Sequence, residues 1–120
     1  MTYLERAQHL AQLIGEGKSL EALDTYYADD LVVIEGNGDT FKGKETQRGR
    51  IKEWMTSVKE MHAGGLNALT SNEDAGVTMS ETWFDATFHE GGRFKMEEVA
   101  VQYWEGDKIV KERFYYNAPG

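Results

Sequence analysis

The chain has 120 residues, 40% hydrophobic and 12% aromatic, with Pro119 its only proline: enough for one core and too little for two, so one ordered domain over residues 1–120 is expected. A formal charge of −8 repels a phosphate backbone, and the few cations are not clustered, which sets nucleic acid aside. Cysteine is absent, which removes disulfides and thiolate chemistry and fits a cytoplasmic protein. The N-terminus has acidic and polar residues where a secretory signal needs an unbroken apolar stretch, and no segment approaches the roughly 18 apolar residues of a membrane span.

From Thr2 to Gly15 the apolar positions Tyr3, Leu4, Ala7, Leu10, Ala11, Leu13 and Ile14 recur at helical spacing, and Gly15 and Gly17 supply a stop. Ser19 is placed to cap a second helix through Tyr27, with Leu20, Leu23, Tyr26 and Tyr27 on its apolar face and Glu21 in its first turn. A full capping box needs Glu or Gln where the chain has Ala22.

The β-branched run Leu31 to Glu35 reads as a strand, and Gly36-Asn37-Gly38-Asp39 as a hairpin turn, because Asn-Gly tolerates positive φ at both central residues. A short return strand, Thr40 to Lys42, precedes a third helix from about Lys44 to Lys59, whose predicted buried stripe is Gln47, Ile51, Trp54, Met55 and Val58. Period-two patterning then predicts four antiparallel strands, near Met61 to Thr70, Gly76 to Glu90, Arg93 to Glu105 and Lys108 to Asn117. The fold class is therefore α+β.

If Gly91 and Gly92 are central turn residues, Phe84 faces Val99; if Gly106 and Asp107 centre the next turn, Val99 faces Phe114. Both registers gather Thr82, Phe84, Ala86, Phe88, Glu97, Val99, Val101, Tyr103, Val110, Glu112, Phe114 and Tyr116 on the face expected to meet the helices. The opposite face then carries Trp83, Met96, Trp104, Arg113 and Tyr115, a mixture of large aromatics, methionine and charge that predicts a homodimer packed through it. A slip of one residue at Gly91-Gly92 exchanges the two faces.

The segment Tyr27-Ala28-Asp29-Asp30-Leu31-Val32-Val33-Ile34-Glu35, the Gly36 to Asp39 turn, Phe41-Lys42-Gly43-Lys44 and Gly106-Asp107-Lys108-Ile109-Val110 resemble the NTF2-like superfamily. More narrowly the chain resembles its SnoaL-like branch, related to polyketide cyclases and ketosteroid isomerases. The resemblance implies a cone-shaped curved antiparallel sheet of about six strands, two of them a short hairpin, wrapped around three N-terminal helices and enclosing a pocket. In ketosteroid isomerases a carboxylate ending the first strand is the base, and Glu35 matches it. Their oxyanion-binding tyrosine falls at Ala11 and their protonated aspartate on the penultimate strand at Val99, so the resemblance does not extend to steroid isomerisation by that machinery. The superfamily includes enzymes, ligand binders and scaffolds.

Two carboxylates are candidate catalytic groups. Glu35 ends a β-branched strand, where an apolar cup would raise its pKa and suit it to general-base work; the plain alternative is an acid in water. Glu112 lies among Val110, Phe114 and Val101 and must be paired, protonated or edge-exposed, with Glu35 or Lys95 as possible partners. Tyr103 and Tyr116 are candidate hydrogen-bond donors beside it. Tyr26, Trp54, Phe84, Val99, Val101 and Phe114 complete the candidate lining for a small apolar or aromatic ligand, against the alternative of ordinary core.

His9, His62 and His89 lie on separate elements without metal-ligand spacing, and no phosphate loop or nucleophile motif is present. No metal or cofactor is expected. Two functions remain open: a cofactor-independent isomerase, cyclase or lyase acting on a small apolar carbonyl compound by carboxylate proton transfer, and a non-catalytic ligand-binding or dimeric scaffold protein.

Overall fold

The computed structural model describes residues 1–116. Its elements are the helices α1 (Tyr3–Gly15), α2 (Ser19–Tyr26) and α3 (Lys44–Ser57), and the strands β1 (Tyr27–Ile34), β2 (Thr40–Lys42), β3 (Val58–Asn72), β4 (Val77–Phe88), β5 (Gly92–Glu105) and β6 (Lys108–Tyr115). The last predicted strand position, Asn117, lies outside the described residues.

The strands form one curved sheet in the order β2-β1-β6-β5-β4-β3. The expected all-antiparallel sheet is corrected to a mixed one: every neighbouring pair is antiparallel except β1 and β6, which run parallel because the first long strand and the last are not joined by a hairpin. That pairing brings the first long strand beside the last and sets Val33 against Glu112.

Local chemistry explains the helix ends. Thr2 Oγ1 accepts from the Glu5 amide and Glu5 Oε1 accepts from the Thr2 amide, a reciprocal capping box. Glu73, in the β3–β4 turn, also accepts from the amides of Tyr3 and Leu4, tying the helix start to the sheet. Ser19 is the first residue of α2 rather than its cap: Lys18 holds that position and gives no side-chain hydrogen bond. In the β1–β2 turn only Gly38 takes positive φ, while Asn37 Oδ1 accepts from the Asp39 amide, so the turn uses an Asn side chain rather than a left-handed Asn.

The core lies where α1 and α2 meet β1, β5 and β6. Ala7, Leu10 and Leu13 of α1 pack with Ala22, Leu23 and Tyr26 of α2 and with Leu31, Val33, Trp104 and Ile109 of the sheet. Leu23, Leu31, Val33 and Ile109 are among its fully buried side chains, each contributing about 1.5–3 kcal/mol of burial. The stripe expected on α3 is not buried: no residue of that helix is, although Ile51 packs against the core's edge. Trp54 and Met55 stay 41% and 43% exposed, because the sheet is not closed and most of β3 beyond α3 lies open.

The register corrects the expected faces of β5 and of the start of β6. The β4–β5 hairpin closes through residues 89–91, so Phe84 pairs with Met96 and not with Val99. Gly91 takes φ 95°, the left-handed conformation that completes a three-residue hairpin loop. The β5–β6 turn is centred on Gly106 and Asp107 as predicted, but Val110 is then an extra residue on β6, after which Tyr103 pairs with Lys111 and Gln102 with Glu112. These departures lie on either side of β5. Strand β4 and the part of β6 beyond the bulge therefore keep their expected faces, β5 is turned over, and ahead of the bulge Ile109, not the expected Val110, faces inward against Trp104.

Met96, Glu98, Ala100, Gln102 and Trp104 consequently share the concave, helix-facing side, where Trp104 packs against Tyr3 and Tyr26. Glu97, Val99, Val101 and Tyr103 share the outer side with Trp83, Met79 and Val77. Met96 and Trp104 thus leave the proposed dimer face; Trp83, Arg113 and Tyr115 remain on it.

Candidate functional site

A row of polar side chains crosses the buried floor of the concave face. Trp104 Nε1 donates to Thr78 Oγ1 at 2.9 Å, Thr78 donates to Gln102 Oε1 at 2.8 Å, and Gln102 Nε2 donates to Glu112 Oε2 at 2.7 Å. The Tyr27 hydroxyl donates to the same oxygen of Glu112 at 2.8 Å. Thr78, Gln102 and Glu112 are all buried. Burial pushes the Glu112 carboxyl up to about 7, against the pull of its two hydrogen bonds, and burial pushes the Tyr27 phenol well above its ordinary range.

Two further carboxyl groups stand beside this row. Glu35, just past β1, accepts from Arg50 Nη2 at 2.7 Å and from the Tyr116 hydroxyl at 2.9 Å. Glu98 on β5 is partly buried and, among the described residues, receives no side-chain hydrogen bond. Burial raises its carboxyl to about 7, and the charge of Glu35 adds to the effect. The site therefore places an ion-paired carboxylate, Glu35, next to carboxyls that hold their protons near neutrality, a separation of environments that suits paired acid and base work.

The open end of the cup is aromatic. Trp54 of α3 meets Phe84 and Phe88 edge-on, with ring centroids 5.7 and 6.3 Å apart, and Phe94 stacks on Phe88 at 4.8 Å. Trp54 and Phe94 remain 41% and 38% exposed, so this wall presents ring surface as well as packing internally.

The structure gathers some of the expected site residues and disperses others. Glu35, Glu112 and Tyr116 come together, and Trp54 and Phe84 form the wall. Tyr26 is core: it packs on Trp104 and its hydroxyl meets His9 Nδ1 at 2.6 Å. Phe114 is half-buried against that core. Val99, Val101 and Tyr103 do not line the cup, because the inverted β5 carries them to the outer face. Lys95, a candidate partner for Glu112, pairs across from Asp85 on that outer face.

The residues that sequence reasoning misses are Glu98, Gln102, Thr78, Tyr27 and Arg50. The expected register turns Glu98 and Gln102 outward with the rest of their strand. Their spacing on one strand face becomes legible once the Gly91 loop is counted as three residues. Among the described residues no group of three or more His, Asp or Glu side chains is arranged to hold a metal ion.

The SnoaL-like domain family matches residues 1–116. The chain belongs to this family. A solved structure from Mesorhizobium loti is 30% identical to this SnoaL-like chain, covers 97% of it and 100% of its own length, and superposes with a TM-score of 0.86. That protein bears the provisional name SnoaL-like polyketide cyclase together with the words carbohydrate phosphatase. An NTF2-like protein from Anabaena variabilis is 22% identical, with 98% and 91% coverage and a TM-score of 0.78. A Pseudomonas putida protein provisionally named a polyketide cyclase is 17% identical, with 98% and 92% coverage and a TM-score of 0.80. Below 25% identity the last two speak for the shared fold alone. No curated protein matches the chain.

Within the SnoaL-like frame, one expectation changes. Val99, the match to the penultimate-strand aspartate of ketosteroid isomerases, faces outward, and the carboxyl that β5 presents to the concave side is its neighbour Glu98. Ala11 does stand on α1 without a hydroxyl. Among the described residues no helix is long and apolar enough to cross a membrane.

Proposed function

We propose that this SnoaL-like protein is a cofactor-independent isomerase, cyclase or lyase that acts on a small apolar carbonyl compound by carboxylate proton transfer. The observation that carries this reading is the meeting of Glu35, ion-paired with Arg50, and Glu98, partly buried without a hydrogen-bond partner among the described residues, on one concave face beside Trp54 and Phe84. Glu35 serves as the base that removes a proton adjacent to a carbonyl. Glu98 holds a proton near pH 7 and donates to the carbonyl oxygen, which is where negative charge develops. Glu112, only 4% exposed, sits beneath them and acts on the charge of the site.

The test is hydrogen–deuterium exchange at the α-carbon of a panel of enolisable ketones, followed by NMR, since it detects proton abstraction whatever product forms. Glu35→Gln and Glu98→Gln should each slow exchange by roughly 100-fold or more. Unchanged exchange in both variants removes the assignment.

A second reading is favoured by the engagement of the site's tyrosines: Tyr27 donates to Glu112 and Tyr116 to Glu35. With these hydroxyls committed, the cup is also suited to holding a ligand without turning it over. Mass spectrometry of co-purified small molecules separates the readings by showing whether the bound compound is altered. We also propose a homodimer through the outer sheet face.

A further inference from the structure

Glu112 receives both of its hydrogen bonds on one oxygen, Oε2, from Tyr27 and Gln102. A carboxamide can present either its oxygen or its NH2 group to such a neighbour, and the two choices have opposite consequences for where the acid holds its proton. Here the bonds along the row all run one way, toward Glu112. The Trp104 indole N–H can only donate, so Thr78 Oγ1 is the acceptor of that bond. The single proton of the Thr78 hydroxyl is left for Gln102 Oε1. With its oxygen occupied, Gln102 turns its NH2 group to Glu112. Oε2 then carries two donors and has no room for a proton of its own.

We infer that Trp104, Thr78 and Gln102 form a one-way hydrogen-bond chain whose role is to fix the proton of Glu112 on Oε1, making the three residues positioning residues for that carboxyl. The inference rests on reading Glu112 as a proton-holding group of the site, and it adds what controls that group. The chain runs from the helix-packed core, where Trp104 is held between Tyr3 and Tyr26, to the carboxyl row. The titratable groups around Glu112 are Tyr27 and Glu35 from the β1 side and Glu98 from β5, while Arg50 of α3 acts through Glu35. None of these can orient Gln102, which touches Thr78 and Glu112.

The experiment is a carboxyl ¹³C NMR titration of Glu112 in a Glu98→Gln background, which leaves one fewer coupled acid. Thr78→Val keeps the side-chain shape and removes the hydroxyl, so Gln102 loses its orientation and the midpoint of Glu112 should rise by about one pH unit, as expected for losing a hydrogen bond to a charged group. Thr78→Ser should restore the original midpoint. A folded Thr78→Val variant with an unmoved midpoint overturns the chain. In the unmodified protein, NOEs from the Gln102 side-chain amide protons should run to the Tyr27 ring; NOEs to the Thr78 methyl group instead would overturn it even if the valine variant does not fold. Neither readout involves turnover, so failure here leaves the proposed reaction standing, and absence of turnover leaves the chain standing.

Discussion

The indole of Trp54 meets the ring of Phe84 edge-on at 5.7 Å, joining α3 to β4. Trp54 nevertheless keeps 41% of its surface exposed, whereas Trp104 is 5% exposed in the core. An apolar ligand entering the cup would cover Trp54 and leave Trp104 untouched. Ligand addition should therefore shift and intensify the Trp54 fluorescence. In Trp54→Ala the affinity for apolar carbonyl ligands should fall about tenfold or more, the loss expected for removing one aromatic contact. Equal fluorescence changes in Trp54→Phe and in the unmodified protein would show that the ligand binds elsewhere.

The carboxyls at Glu98 and Glu112 give stability an unusual pH dependence. Burial raises both folded-state values to about 7 from an ordinary 4.5. Between those values the folded chain binds protons that the unfolded chain does not, so stability falls as pH rises and levels off above about 7. For the buried Glu112 the loss is on the order of 2–3 kcal/mol. Urea midpoints should be higher at pH 5 than at pH 8, and Glu112→Gln should reduce the difference. A midpoint that rises from pH 5 to pH 8 would contradict the assignment of both carboxyls.

Much of this arrangement is legible in the residue pattern alone, and the parts that are not have a common cause. Helical spacing locates α1 because Ala7, Leu10 and Leu13 all face one core. Glu112 stands out as an acid among apolar neighbours, and it is buried. Strand faces are less secure, because alternation specifies that neighbours differ without specifying which side is inside. On β5 both sides carry large residues, so the assignment hangs on two turns, and Gly91-Gly92 and Gly106-Asp107 look alike in sequence. Only the second forms a two-residue connection. The bulge at Val110 leaves no signal in the residue types. Cross-strand partners such as Gln102 and Thr78 become visible only when both pairings are known.

Gly76 offers a backbone test. It takes φ 68° at the start of β4, donates to Glu73 and accepts from the Trp104 amide at 2.8 Å. A Cβ at this position would lie 3.1 Å from the Trp104 carbonyl oxygen. Gly76→Ala combines a left-handed conformation with a contact against backbone, so it should cost about 1–2 kcal/mol or more. Thermal unfolding measures the loss. A variant as stable as the parent would mean that the β3–β4 turn can rearrange without disturbing Trp104.

The outer face of the sheet is rich in aromatic and basic side chains. Trp83, Tyr103 and Tyr115 lie there under Lys95, Lys111 and Arg113, with cation-to-ring distances of 4.7, 5.0 and 5.1 Å. Aromatic residues mixed with cations around Met79, Val99 and Val101 match the composition of an interface better than that of a solvated sheet. A hollow of about 180 Å³ between Met79, Glu81, Val99 and Thr70 interrupts this surface and gives a partner side chain a place to enter. Trp83 is also fixed from the edge, since a Cβ on Gly65 would come within 2.8 Å of its Nε1. Sedimentation at micromolar concentration should give twice the 13.6 kDa chain mass. Val101→Lys should weaken association at least tenfold through a buried charge, and Gly65→Ala should weaken it less by pushing the Trp83 ring out of place. A parent protein that sediments at 13.6 kDa would remove the dimer and leave the outer face to solvent.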